Sequence, residues 1–98
     1  MHYQKDRVAL KPPLGWNSWD CYGPAVNEVQ LLGNARYMAE HLKAHGWQYV
    51  VCDIQWYEPE AGQRHWEYNR FAGLCMDGFG RLIPAENRFP SAANGAGF

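Results

Sequence analysis

The stretch Pro12-Pro13-Leu14-Gly15-Trp16-Asn17-Ser18-Trp19 decides how the rest of the chain is read. It places two tryptophans three apart, with an amide and a hydroxyl between them, directly after a proline pair. Prolines fix φ, lack an N–H and bias the preceding residue away from helix, so a helix is excluded there. Leu14 to Asn17 is short and apolar enough for a strand. Indoles and Leu14 are ordinary core material, but a buried amide or hydroxyl needs partners. Two readings follow. The stretch is an aromatic turn that plugs a core, or a strand end that faces a ligand. Flat apolar rings beside hydrogen-bonding groups suit a sugar, which has an apolar C–H face and a polar rim.

Downstream, the periodicity changes to that of a helix. Leu31, Ala35, Met38 and Leu42 recur at three- and four-residue steps, flanked by Leu32 and Ala39, and define an apolar face. Asn27 with Gln30 forms a capping-box pattern, Glu28 suits the N-terminal dipole, and Gly46 is a natural stop after Lys43 and His45. These signals predict a helix of about nineteen residues. Arg36, Glu40 and Lys43 fall outside its apolar face, and His41 and His45 are expected at the surface. Tyr49-Val50-Val51-Cys52 then reads as a strand buried on both faces, as in a parallel sheet. Strand, helix and strand make a βαβ unit, compatible with a barrel or a doubly wound sheet.

From Tyr57 onward the pattern fades into glycines and prolines. A hairpin is expected around Met76 to Leu82, where Asp77-Gly78 and Gly80 supply a turn. About forty residues with little regular structure make a long connection, and such loops often carry function. Asp20-Cys21-Tyr22-Gly23-Pro24 reads as loop.

Composition narrows the function classes. The net charge is −1, with nine basic and ten acidic residues and no basic run, so neither nucleic acid nor an anionic membrane surface is an expected partner. No apolar run approaches the ~20 residues of a membrane helix. Met1 to Arg7 lacks the apolar core of a signal peptide, so a cytoplasmic location is expected if Met1 is the true start. The three cysteines, Cys21, Cys52 and Cys75, form no Cys-x-x-Cys pair and are expected as buried free thiols. No metal cluster or phosphate-binding glycine loop is present, so no metal and no cofactor is expected.

Three segments carry a family resemblance. "PPLGWNSWDCYG", "GWQYVVCDIQW" and "GRLIPAENRFPSAANGAGF" resemble, in that order, the opening, the second-strand segment and the Arg-Phe-Pro-Ser stretch of the α-galactosidase (melibiase) glycoside hydrolases, family 27. The resemblance implies the N-terminal part of a (β/α)8 TIM barrel. Such a barrel needs ~250 residues. The 98 residues would therefore hold about two of its strands, one long helix and a long loop, truncated at the C-terminus. It also implies a retaining double displacement by two aspartates from strands four and six, beyond Phe98. No catalytic residue is thus expected within the chain. The fragment alone would be inactive.

The implied substrate-binding residues are Trp19, Asp53 and Trp56. Trp19 matches the family tryptophan that packs against the sugar. Asp53, three before Trp56, matches the first aspartate of an Asp-Asp-Cys-Trp segment, which binds sugar hydroxyls. Trp56 is read as pocket wall or core, and Trp16 as structural. For Asp53 the alternative is a carboxylate that caps loop amides. Ile54 stands where the family has its second aspartate, and Gln55 stands where secreted members have a disulfide cysteine. The loss at Ile54 removes a hydroxyl acceptor, to be replaced in part by Gln55 or Glu58, or matched by a different sugar such as an arabinopyranoside or an α-glucan. Glu58, Glu60 and Glu67 are loop acids that match no catalytic residue. The expected partner is a carbohydrate substrate, and the oligomeric state is not legible. A non-catalytic carbohydrate-binding or structural remnant is the competing reading.

Overall fold

The computed structural model describes residues 7–62 and 72–95. Glu67, the segment before Arg7 and the last three residues lie outside these ranges.

Strand β1 runs Leu14–Asn17, immediately after the proline pair. It pairs in parallel with β2, Trp47–Val51, in the register Leu14↔Trp47, Gly15↔Tyr49, Trp16↔Val50 and Asn17↔Val51. The register slips between Leu14 and Gly15. Gly15 allows the approach: a Cβ there would lie 2.3 Å from the carbonyl oxygen of Tyr49.

Between the strands the backbone is more ordered than the expected loop. Trp19–Tyr22 forms a one-turn helix, α1, and Gly23–Ala25 forms a 3₁₀ turn. The Oδ1 of Asn17 accepts the N–H of Trp19 at 2.8 Å, which starts the turn. Pro24 sits in the first residues of the 3₁₀ turn, where its missing N–H costs no hydrogen bond.

Helix α2, Glu28–His41, opens with the capping box that the sequence predicts. Asn27 Oδ1 accepts Gln30 N–H at 3.0 Å, and Gln30 Oε1 accepts Asn27 N–H at 3.1 Å. Leu31 and Met38 are buried, whereas Ala35 and Leu42 are half-buried. Arg36, Glu40, His41, Lys43 and His45 are exposed, as expected. The α-helix has 14 residues rather than about nineteen. Its end tightens into a 3₁₀ turn at Lys43–His45, and Gly46, at φ 92°, reverses the chain into β2.

β2 departs from expectation. All five of its residues are exposed, not buried on both faces. Among the described residues only β1 pairs with it, so its other edge and much of its surface stay uncovered.

The core lies at the C-terminal end of the strands. Val26, Leu31, Phe89 and Ala92 are buried together, and Trp16, Tyr22, Cys52 and Trp56 pack against them. Phe89 and Ala92 come from the segment that the sequence left irregular. Burial of Phe89, which is fully inaccessible, contributes roughly 1.5–3 kcal/mol. Glu28 is buried because it serves the same docking: its Oε1 accepts the N–H of Ser91 at 2.9 Å, and its own N–H donates to the carbonyl of Arg88 at 2.9 Å.

The hairpin is present. Met76 and Leu82 form an antiparallel bridge. The Asp77 carboxylate holds the turn, accepting N–H groups from Phe79 and Arg81 and the Nε of Arg81. The cysteines are free, but Cys21 is exposed, contrary to expectation, while Cys52 and Cys75 are half-buried. Tyr22, the residue after Cys21, turns to Trp16 edge-to-face at 6.2 Å.

Candidate functional site

The parallel register brings Asn17 and Val51 side by side. The two residues after each, Ser18-Trp19 and Cys52-Asp53, therefore leave the sheet at the same end. Ser18 joins them. Its N–H donates to the Val51 carbonyl at 3.1 Å, extending the ladder by one bond. Its Oγ accepts the Asp53 N–H at 2.9 Å. Ser18 occupies the N-cap position of α1 but makes no side-chain cap, because its hydroxyl is turned across to the second strand.

Asp53 is half-buried. Its Oδ1 accepts the N–H of Ile54 at 2.7 Å. That contact is a loop-amide cap, as the competing reading expects, but it uses one oxygen. Among the described residues no donor reaches Oδ2. Ile54 is 46% exposed beside it. An acceptor and an apolar branched side chain thus stand together at the mouth of the strand pair.

Trp19, the first residue of α1, is half-buried. Its position one residue beyond Ser18 sets it at the same end as Asp53. Trp56 is half-buried, packs against the Phe89 core and meets Tyr57 edge-to-face with centroids 5.1 Å apart. Much of its surface is therefore structural. Trp16 packs on the same core, as expected.

Gln55 and Glu58 are not brought to the open side. Their exposures are 5% and 4%. Gln55 Nε2 donates to Glu58 Oε2 at 2.7 Å within the loop. Gln55 adopts φ 72°, in the left-handed region that non-glycine residues rarely occupy. Gln55 Oε1 and Glu58 Oε1 are buried without a hydrogen-bond partner among the described residues.

The loops are fastened by Arg88, which the sequence reading did not single out. Its Nη1 donates to the carbonyls of Gln55 (2.7 Å) and Glu58 (2.8 Å), and its Nη2 to those of Pro24 and Val26, both at 2.6 Å. The loop after β1 and the loop after β2 are thereby held by one guanidinium. Burial pushes the Arg88 pKa down, opposed by the nearby Cys52 and Glu58. The Cys52 thiol is pushed up, chiefly by burial, with Arg88 lowering it and Asp53 raising it. The one signal for Arg88 was its place in the Arg-Phe-Pro-Ser stretch. For Ser18 it was a hydroxyl between two indoles that needed a partner.

No family model matches the chain. Individual relatives do. It is 66% identical to a Bacillus halodurans protein of known structure, assigned as an α-N-acetylgalactosaminidase, with a TM-score of 0.75 over 90% of this chain and 20% of that one. It is 54% identical to a GH27 β-L-arabinopyranosidase from Geobacillus stearothermophilus, with a TM-score of 0.87 over 97% of this chain and 21% of that one. It is 36% identical over 61 residues to the α-galactosidase mel1 of Schizosaccharomyces pombe, which covers 61% of this chain and 14% of the relative. The chain thus spans about a fifth of the solved relatives' length. On its sequence and its structure it belongs to glycoside hydrolase family 27.

Proposed function

We propose that the chain forms the first βαβ portion of a (β/α)8 barrel, and that the full-length protein is a retaining glycosidase. In this reading the end of the β1–β2 pair is one wall of the sugar pocket, since barrel chemistry gathers at the C-terminal ends of the strands. Asp53 accepts hydrogen bonds from sugar hydroxyls through the oxygen that Ile54 does not occupy. Trp19 lies along the apolar face of the ring. The resemblance assigns nucleophile and acid/base to two aspartates on strands four and six, which the 98 residues do not include. Retaining pairs stand ~5–5.5 Å apart.

The substrate follows from Ile54, the observation that carries this proposal. The family's second aspartate would accept a further hydroxyl. An exposed isoleucine beside Asp53 instead offers an apolar contact. L-Arabinopyranose has the ring configuration of galactose but lacks the hydroxymethyl arm, and so suits such a wall. The G. stearothermophilus relative, named as a β-L-arabinopyranosidase and also solved in complex with arabinose, supports this choice over a galactoside.

The test uses the full-length protein with nitrophenyl β-L-arabinopyranoside and nitrophenyl α-D-galactopyranoside. The wild type should favour the arabinoside. Ile54→Asp should move the ratio of kcat/KM toward the galactoside by roughly 10-fold or more, because hydroxyl-bonding groups discriminate strongly. An unchanged ratio would overturn the assignment of the sugar.

A further inference from the structure

We infer that Ser18 is a positioning residue that sets the aim of the Asp53 carboxylate. The inference rests on the reading of Asp53 as the acceptor of sugar hydroxyls.

Asp53 is the second residue beyond the end of β2. Backbone there is no longer held by the β1–β2 ladder, whose last pair is Asn17↔Val51. A carboxylate on an untethered strand end would sample several directions. Ser18 removes that freedom with two bonds. Its backbone N–H holds the Val51 carbonyl at 3.1 Å, and its side chain holds the Asp53 N–H at 2.9 Å. The two bonds bracket Cys52 and fix the peptide that carries Asp53.

The hydroxyl is well placed for this task. Ser18 is wholly inaccessible, so water does not compete for the Oγ. Its φ and ψ, −69° and −18°, are relaxed. The position also forgoes its usual work. A serine before a helix normally caps the N2 or N3 amide, but this one makes no such bond. The hydroxyl is committed to the other strand. Asp53 Oδ1 is in turn pinned by the Ile54 N–H at 2.7 Å. With both the peptide and one oxygen fixed, Oδ2 points in a defined direction. A tether of this kind acts on a ligand only through Asp53.

Ser18→Cys and Ser18→Ala in the full-length protein test the inference. Cysteine is close to serine in size but a weak acceptor, so it loosens Asp53 with little change in packing. Rates are measured on nitrophenyl β-L-arabinopyranoside, with kcat and KM separated and thermal stability as a control. Ser18→Cys should raise KM about 10-fold with kcat nearly unchanged, as expected when binding to ground and transition states is lost together. The same substitution in an Asp53→Asn background should add little, since the group it serves is already impaired. An unchanged KM for Ser18→Cys, or an equal loss in both backgrounds, would overturn the positioning role while leaving Asp53 as a sugar ligand. If Asp53→Asn alone changes neither KM nor kcat, the sugar-binding reading of Asp53 fails and the inference falls with it.

Discussion

Arg88 Nη2 and the carbonyl oxygen of Val26 lie 2.6 Å apart across 62 positions of sequence. The same guanidinium reaches three other carbonyls, Pro24, Gln55 and Glu58. Planar, forked donors can serve several acceptors at once, which a lysine ammonium does less well. The loops that follow β1 and β2 therefore share one fastening, in a core that Phe89, the next residue, helps to fill.

Replacement of Arg88 should be costly. Arg88→Ala would leave four carbonyls seeking donors in a half-buried place, and should destabilise the full-length protein by roughly 3 kcal/mol or more. Arg88→Lys should recover less than half of that loss. Urea denaturation of the three proteins measures both. Equal stabilities would show that water replaces the guanidinium at no cost.

Two glycines should respond in opposite ways to alanine. At Gly15 an added Cβ would meet the Tyr49 carbonyl oxygen at 2.3 Å, a backbone atom that cannot step aside without parting the strands. Gly15→Ala should cost roughly 2–4 kcal/mol, in the range of overpacked and strained sites. At Gly33, inside α2, an added Cβ meets nothing within 4 Å. Gly33→Ala should stabilise by about 0.5–1 kcal/mol through helix propensity. The pair can be scored in one series of thermal melts.

Thiol reactivity should separate the cysteines. Cys21 is exposed, whereas Cys52 is half-buried with its thiol pushed up, mainly by burial. A raised pKa means less thiolate at neutral pH, and thiolate is the reactive form. Iodoacetamide should modify Cys21 first, with Cys52 reacting only as the pH rises past the ordinary thiol range. Peptide mass mapping across pH would show the order.

The hairpin carries its own pH signature. The Asp77 carboxyl lies below its usual value, first because of the Arg81 backbone N–H, then the Arg81 side chain and the Phe79 N–H, with partial desolvation opposing. A depressed carboxyl contributes stability that is full above its unfolded pKa and is lost as pH falls through the folded one. The turn should therefore hold through mildly acidic pH and open only below the ordinary carboxylate range. Asp77→Asn should abolish that transition. Amide chemical shifts of Phe79 and Arg81, followed by NMR against pH, would report it.

The sequence made local features legible. Asn27 and Gln30 announced the capping box, Asp77-Gly78 the turn, and Pro12-Pro13 the start of β1, because each is settled by neighbours a few residues away. The order of the three family-like segments led to the right enzyme family. What stayed hidden depends on distant partners. Glu28 reads as a first-turn acid suited to the helix dipole, yet it is buried because Ser91 returns to it. Arg88 is marked in the sequence only by its Arg-Phe-Pro-Ser stretch, whereas its four carbonyl partners come from two other loops. Gln55 and Glu58 read as loop residues free to reach a ligand, and only the fold turns them toward each other. β2 has the composition of a strand covered on both faces, but its exposure is set by what packs on those faces and along its edges.

The claim that the ends of β1 and β2 form a sugar-binding wall is tested most directly by a crystal structure of the full-length protein soaked with L-arabinose. The account predicts the pyranose with hydroxyl oxygens within about 2.5–3.0 Å of the Asp53 carboxylate, its C–H face along Trp19 and its C5 edge toward Ile54. Arabinose bound in the barrel without contact to Asp53 or Trp19 would contradict it.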